Sequence, residues 1–252
     1  MSALTRCGVL LLATVSAVGC SLFAQQTPTP ASRLTREELA AMTPPPGERY
    51  FLILFGSDRP TRQPADTHTW ATLVTVSGTL GTAEAAVAEE TISWLPAEMP
   101  IKPLSRSVVP GRNYGLHETI RVMLDTKQEI ALWGPYEVWH GFAQRFRVQK
   151  AFMESGAVGY QCIDSWGEAG RTGRGCDCIH SISDMDPELP RSRYPLFLYG
   201  QPATARLVRR IMHVPATIGV PATHDWIVPR LGLTDFPIEK REYRGRVVPY
   251  VR

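Results

Sequence analysis

The sequence predicts an α+β fold in a single domain over residues 49–252, a mostly antiparallel sheet packed by helices. Three observations predict it. Short runs rich in β-branched and aromatic residues mark strands, apolar stripes at helical spacing mark helices, and the two alternate without the strict order of a parallel βαβ array. Residues 50–55 (Tyr-Phe-Leu-Ile-Leu-Phe) are continuously apolar and end at Gly56, as suits a strand buried on both faces. Residues 68–76 form a second strand, whose alternation puts His68, Trp70, Thr72, Val74 and Val76 on one face. After the glycines at 78 and 81, residues 90–95 read as the return strand. Residues 113–124 read as a helix. A second helix is expected from about Tyr136 to Ser155, with Trp139, Phe142, Ala143, Phe146 and Met153 on its apolar stripe. A short strand over 158–163, a strand around 196–199 and a helix over about 203–212 follow.

The N-terminus has a different character. Arg6 is the only charge in the first 30 residues, and an apolar run over 9–15 follows it. That run is shorter than the ~20 residues that span a bilayer. It matches the core of a secretory signal, ending either at a lipoprotein-type box, Ala17-Val18-Gly19-Cys20, or after Ala24. The expectation is a signal peptide over 1–20 (alternatively to 24), with Cys20 as a lipidation site. A Pro-rich tether over 21–48 would follow, with a short helix started by the Thr35–Glu38 capping box. The compartment is then the periplasm or outer cell envelope, with membrane attachment only through the lipid. The whole chain carries 27 basic and 24 acidic residues, too even a balance for a nucleic-acid footprint.

Three cysteines remain in the domain: Cys162, Cys176 and Cys178. An odd number in an oxidising compartment leaves one thiol over. Cys162 can pair with either of the other two, since adjacent-but-one Cys176 and Cys178 would close a strained ring. Taking Cys162 and Cys176 as the disulfide leaves Cys178, which follows a Gly-rich loop and opens a candidate helix. A thiol at a helix start has its thiolate favoured by the unpaired N–H groups there. A nucleophilic cysteine needs an imidazole base, and the base an orienting group. His68, at a strand start and shielded by Trp70, is the expected base, and Glu90 the expected orienting residue; Asp66 and His117 are alternatives.

The order of these residues, a strand-borne His, a polar residue on the next strand and a later Cys at a helix start, resembles that of permuted papain-fold cysteine hydrolases. That superfamily includes the lecithin–retinol acyltransferase-like proteins and NlpC-like envelope hydrolases. The string Asp177-Cys178-Ile179-His180 is similar to their Asn-Cys-x-His string. The resemblance implies a papain-like fold, Cys178 as nucleophile, His68 as base and Glu90 as a third member. It implies an amide or ester substrate, for which the compartment suggests cell-wall peptide, and no cofactor.

Other readings of the same residues stand beside it. Cys176, Cys178 and His180, with Cys162, could ligate zinc or copper, but their spacing matches no standard motif and no metal is expected. The alternative function is a non-catalytic, disulfide-stabilised envelope protein that binds a glycan or protein partner through the aromatics at 133–139.

Overall fold

The computed structural model describes residues 28–61, 63–103, 105–164, 172–189, 199–212 and 224–242. Its centre is a five-stranded sheet in the order β3-β2-β1-β6-β9. The strands are β1 (Glu48–Asp58), β2 (Thr67–Ser77), β3 (Ala86–Ile92), β6 (Glu129–Val138) and β9 (Ile238–Arg241). All neighbours are antiparallel except β6 and β9. The domain is thus α+β with a mostly antiparallel sheet, as its sequence patterning predicts. Two small two-stranded sheets flank it: β4 (Trp94–Pro96) with β5 (Gly111–Asn113), and β7 (Gly159–Tyr160) with β8 (Gly175–Cys176).

Both faces of the sheet are covered, which explains why β1 is apolar at successive positions. On one face Phe51, Ile53, Phe55, Trp70, Val74 and Val76 share a core with Leu116, Ile120 and Met123 of α3 (Leu116–Asp125). Ile227 and Val228 of the short α7 (Ile227–Arg230) complete that core. On the other face Leu52, Leu54, Ala71, Leu73 and Trp133 meet Phe142, Ala143 and Phe146 of α4 (His140–Glu154). Ile182 of α5 (His180–Ser183) and Leu207, Val208 and Ile211 of α6 (Gly200–Ile211) pack there too. Each buried aromatic or aliphatic side chain contributes on the order of 1.5–3 kcal/mol.

Several expectations change. Residues 28–41, assigned to the tether, form α1 (Pro30–Arg33) and α2 (Arg36–Ala41) and pack against α4. Ala31 and Leu39 are fully buried, and Arg145 donates to the carbonyls of Ala31 and Leu34. The Thr35–Glu38 capping box is formed as expected. The helix expected from Tyr136 begins four residues later, because the chain remains in β6 to Val138. There Trp133 and Tyr136 belong to the buried core, so the aromatics at 133–136 offer no exposed platform. The strand expected around 196–199 and residues 1–27, with Cys20, lie outside the described residues.

Helix α6 is set against β1 at two glycines. A Cβ on Gly56 would lie 2.5 Å from Thr204 Oγ1, and Gly200 takes a left-handed φ of 56° against the Ser57 carbonyl. Thr204 in turn lies 2.8 Å from the Thr69 hydroxyl of β2. We expect Gly56→Ala to push α6 off the sheet and to lower the unfolding free energy by ~1–3 kcal/mol, the usual cost of overpacking. Urea denaturation of the variant beside the wild type measures it.

Candidate active site

The ladder between β2 and β3 runs only from Ala71/Ile92 to Ser77/Ala86. Residues 67–70 of β2 therefore pair with β1 on one side and have no β3 partner on the other. The chain from β8 to α5 passes this open edge. Cys176 belongs to the core of one face and Ile182 to that of the other, so the segment between them crosses the sheet edge. At the crossing Cys178 is only partly buried, and its sulfur lies close to the main chain of Thr69, the residue after His68.

His68 is fixed from two directions. Its ring stacks on Trp70 with centroids 5.4 Å apart, and Trp70 stacks on Phe55 at 5.0 Å. Its Nε2 lies 2.9 Å from Ser93 Oγ. Nδ1 is buried and has no hydrogen-bond partner, so the ring and the Cys178 thiol are not bonded to each other. Ser93 follows the last residue of β3 and is itself held. Its N–H donates to Asn113 Oδ1 at 2.7 Å, its carbonyl accepts from Tyr114, and its hydroxyl lies 2.8 Å from Thr119 of α3.

Glu90 is not part of this group. It stands opposite Leu73 in the β2–β3 ladder, on the face away from His68, and pairs with Arg147 of α4 at 2.7 Å. Ser93, not Glu90, is the side chain hydrogen-bonded to His68. The sequence reading ran the return strand through Ser93 to residue 95, whereas β3 ends at Ile92 and leaves Ser93 free to turn back to His68. The alternative bases are engaged elsewhere: Asp66 pairs with Arg59 at 3.2 Å, and His117 lies 2.9 Å from the Leu231 carbonyl.

The expected disulfide is not formed. Cys162, Cys176 and Cys178 are all free thiols. Cys176 donates to the Asp177 carbonyl at 3.3 Å, and Cys162 lies beside the Tyr160 side chain. Each thus has a polar partner in place of the other sulfur.

A second buried group anchors the segment that carries Cys178. His180 Nδ1 lies 2.9 Å from Asp164 Oδ1 and 3.0 Å from Asp177 Oδ2. Asp177 Oδ1 accepts from the N–H groups of Ile179 and His180, and Asp164 accepts from the N–H of Asp177. Burial resists a charge on His180, but the two carboxylates outweigh it and hold its pKa well above the usual value. The ring is therefore an imidazolium clamped between two acids. Among the described residues, Asp164, Asp177 and His180 are the group close enough to share a metal ion. Their atoms already satisfy one another, and His180 Nδ1 faces carboxylates, not the thiols that a zinc or copper reading would have used.

The electrostatics differ from those expected of a helix-start thiolate. Burial pushes the Cys178 thiol well above its ordinary value, and the Asp177 carboxylate adds to the shift. Helix α5 has only four residues and Asp177 has taken its first N–H groups, so little dipole is left to oppose this. Burial alone pushes His68 down to about 3. The resting pair is a neutral thiol beside a neutral imidazole.

No protein-family model, curated protein or solved structure matches this chain.

The depressed His68 pKa fixes a sign. The unfolded ring binds its proton near 6.5 and the folded one near 3, so the unfolded state holds more protons between these values. The stabilisation is full above about pH 6.5 and falls as the pH drops toward 3. At ~1.4 kcal/mol per pH unit, acidification from pH 6.5 to 4 should cost the wild type roughly 3 kcal/mol more than His68→Gln. Denaturant midpoints of both proteins across that range check it.

Proposed function

We propose that this protein is an exported cell-envelope cysteine hydrolase or acyl-transfer enzyme acting on an amide or ester, with Cys178 as nucleophile and His68 as base. One observation carries the reading: the Cys178 sulfur lies close to the main chain of Thr69, next in sequence to a histidine whose Nε2 is held by Ser93 and whose buried Nδ1 is unused. An unused ring nitrogen at that depth is costly unless it has work to do. The order of a strand-borne histidine, a polar residue on the following segment and a later cysteine at a helix start supports likeness to the permuted papain-fold hydrolases, with Ser93 in place of Glu90.

A base requires the lone pair on Nδ1 and the proton on Nε2. The hydroxyl order allows this. Thr119 Oγ1 donates to Ser93 Oγ at 2.8 Å. The second lone pair of Ser93 Oγ then receives the Nε2–H of His68. Nδ1 then removes the thiol proton as sulfur bonds to the substrate carbonyl carbon, and the carbonyl π electrons move to oxygen. The N–H of Cys178, beside its own sulfur, faces the oxyanion that forms. Collapse expels the amine or alkoxide, which takes the proton from His68 and leaves an acyl-enzyme. Water or another acceptor, deprotonated by His68, releases the acyl group. Each group alone resists charging, but as thiolate and imidazolium they attract, which offsets part of the burial cost.

Incubation with p-nitrophenyl acetate, a generic activated ester, tests the pair. We expect an acetyl group on Cys178 by peptide mapping. His68→Ala should slow acylation ~10²–10⁴-fold, the range of general-base catalysis. Ser93→Ala should slow it by a smaller factor, about tenfold, and Glu90→Gln not at all. No adduct on Cys178, or an unchanged rate in His68→Ala, would sink the proposal.

The export reading rests on residues 1–24 alone. If Cys20 carries the lipid, Cys20→Ala should move the protein from the membrane to the soluble fraction of lysed cells; an unmoved protein excludes the anchor.

A further inference from the structure

The chain segments 159–164 and 175–180 are fastened to each other twice. At one point Tyr160 pairs with Cys176 across β7 and β8, and the Gln161 N–H donates to the Cys176 carbonyl at 3.1 Å. Further along, Asp164 accepts the Asp177 N–H at 3.3 Å and lies 2.9 Å from His180 Nδ1. Cys162 stands between the two fastenings on one segment and Cys178 on the other, each two residues past the Tyr160–Cys176 pair. Building on the hydrolase reading, we propose that Cys162 and Cys178 form a reversible disulfide that blocks the nucleophile, so that a thiol reductant switches the enzyme on.

Span is the first argument. Neighbouring strands run about 4.8 Å apart, and the Cα atoms of bridged cysteines are usually about 4.4–6.8 Å apart. Two segments held at that spacing by the ladder, and drawn together again at Asp164, bring the two thiols within reach of each other by side-chain rotation. The Tyr160 phenol is raised by its burial, and both sulfurs add to the shift, as expected of a side chain that stands near each.

Selection of the pair is the second argument. Cys176 is buried and its thiol is turned to the Asp177 carbonyl, whereas Cys162 and Cys178 are both partly exposed. Cys162 also lines a cleft of about 280 Å³ between Pro96 and Pro110, which admits a small oxidant. With glutathione disulfide as that oxidant, the Cys162 thiolate attacks one sulfur and expels a first glutathione thiolate. Cys178 then attacks the Cys162 sulfur of the mixed disulfide and expels the second. The two thiol protons pass to the two glutathiones, and two electrons pass from the pair to the oxidant. Burial raises both thiols, which slows this exchange without altering its equilibrium products. The oxidising compartment of the export reading favours the bridged form.

The test equilibrates the full chain in glutathione buffers of increasing disulfide content, with the reduced form always in excess so that a lone thiol stays mostly free. Remaining thiols are then alkylated and peptides mapped after cleavage at arginine and before aspartate, which parts Cys176 from Cys178. We expect a Cys162–Cys178 linked peptide. Acylation by p-nitrophenyl acetate should fall in proportion to the bridged fraction and return with dithiothreitol. Cys162→Ser should form no bridge and keep its acylation in the same buffers. No bridge at any ratio, a bridge from Cys162 to Cys176, or a Cys162→Ser variant as sensitive to oxidant as the wild type would overturn the disulfide switch, while acylation of the reduced protein would leave the hydrolase reading intact. A reduced protein that never acylates Cys178 would bring down that reading and the switch with it.

Discussion

The early end of β3 is the constraint on which the rest of this structure depends. Had the ladder continued past Ile92, residues 67–70 of β2 would be paired on both sides and no side chain could reach the Thr69 main chain from the edge. Because it stops, the chain after β8 can cross from one face of the sheet to the other and place a thiol against that edge. The same break frees Ser93 from the ladder, so its hydroxyl turns back to His68 while Asn113 satisfies its N–H. One missing stretch of strand pairing thus accounts for the placement of both Cys178 and Ser93 about the His68–Thr69 edge.

Two polar networks hold the two halves of this group, and they differ in kind. The His68–Ser93–Thr119 chain is made of neutral groups, so a proton can shift along it without creating a lone buried charge. The Asp164–His180–Asp177 clamp is ionic, and its role is geometric: it ties the residues before the Gly-rich loop to the residues around Cys178. Removing one member would leave a buried charge uncompensated, a change that typically costs 3–5 kcal/mol. The clamp also adds to the rise that burial imposes on the Cys178 thiol, since the carboxylate that fixes the turn stands next to the sulfur.

Much of the fold was legible in the chain. The β-branched runs located β1 and β2, and strand alternation alone put His68 beside Trp70. What was not legible depended on register and on long-range packing. Glu90 falls on the far face because Leu73 stands opposite it, and no local pattern reveals which residue of β2 that will be. β6 runs on through Gly134 and Pro135 with a register shift against β1, so the apolar stripe beyond them drew the expected helix start too early. Ala31 and Leu39 were hidden in a Pro-rich, polar segment whose composition argues for a tether. The disulfide followed from counting cysteines, and counting cannot show that each sulfur finds a separate partner.

The depressed base and the raised thiol follow from the same burial, and this bears on how such a pair could act. A preformed thiolate–imidazolium would be reactive toward any electrophile that reached it. Burial keeps both groups neutral at rest, so in the proposed reaction charge separation and bond formation would occur together. The desolvation that suppresses the ion pair also strengthens the attraction within it once formed, because fewer waters screen the two charges. On the proposed reading, burial therefore makes reactivity at this edge conditional on a bound substrate.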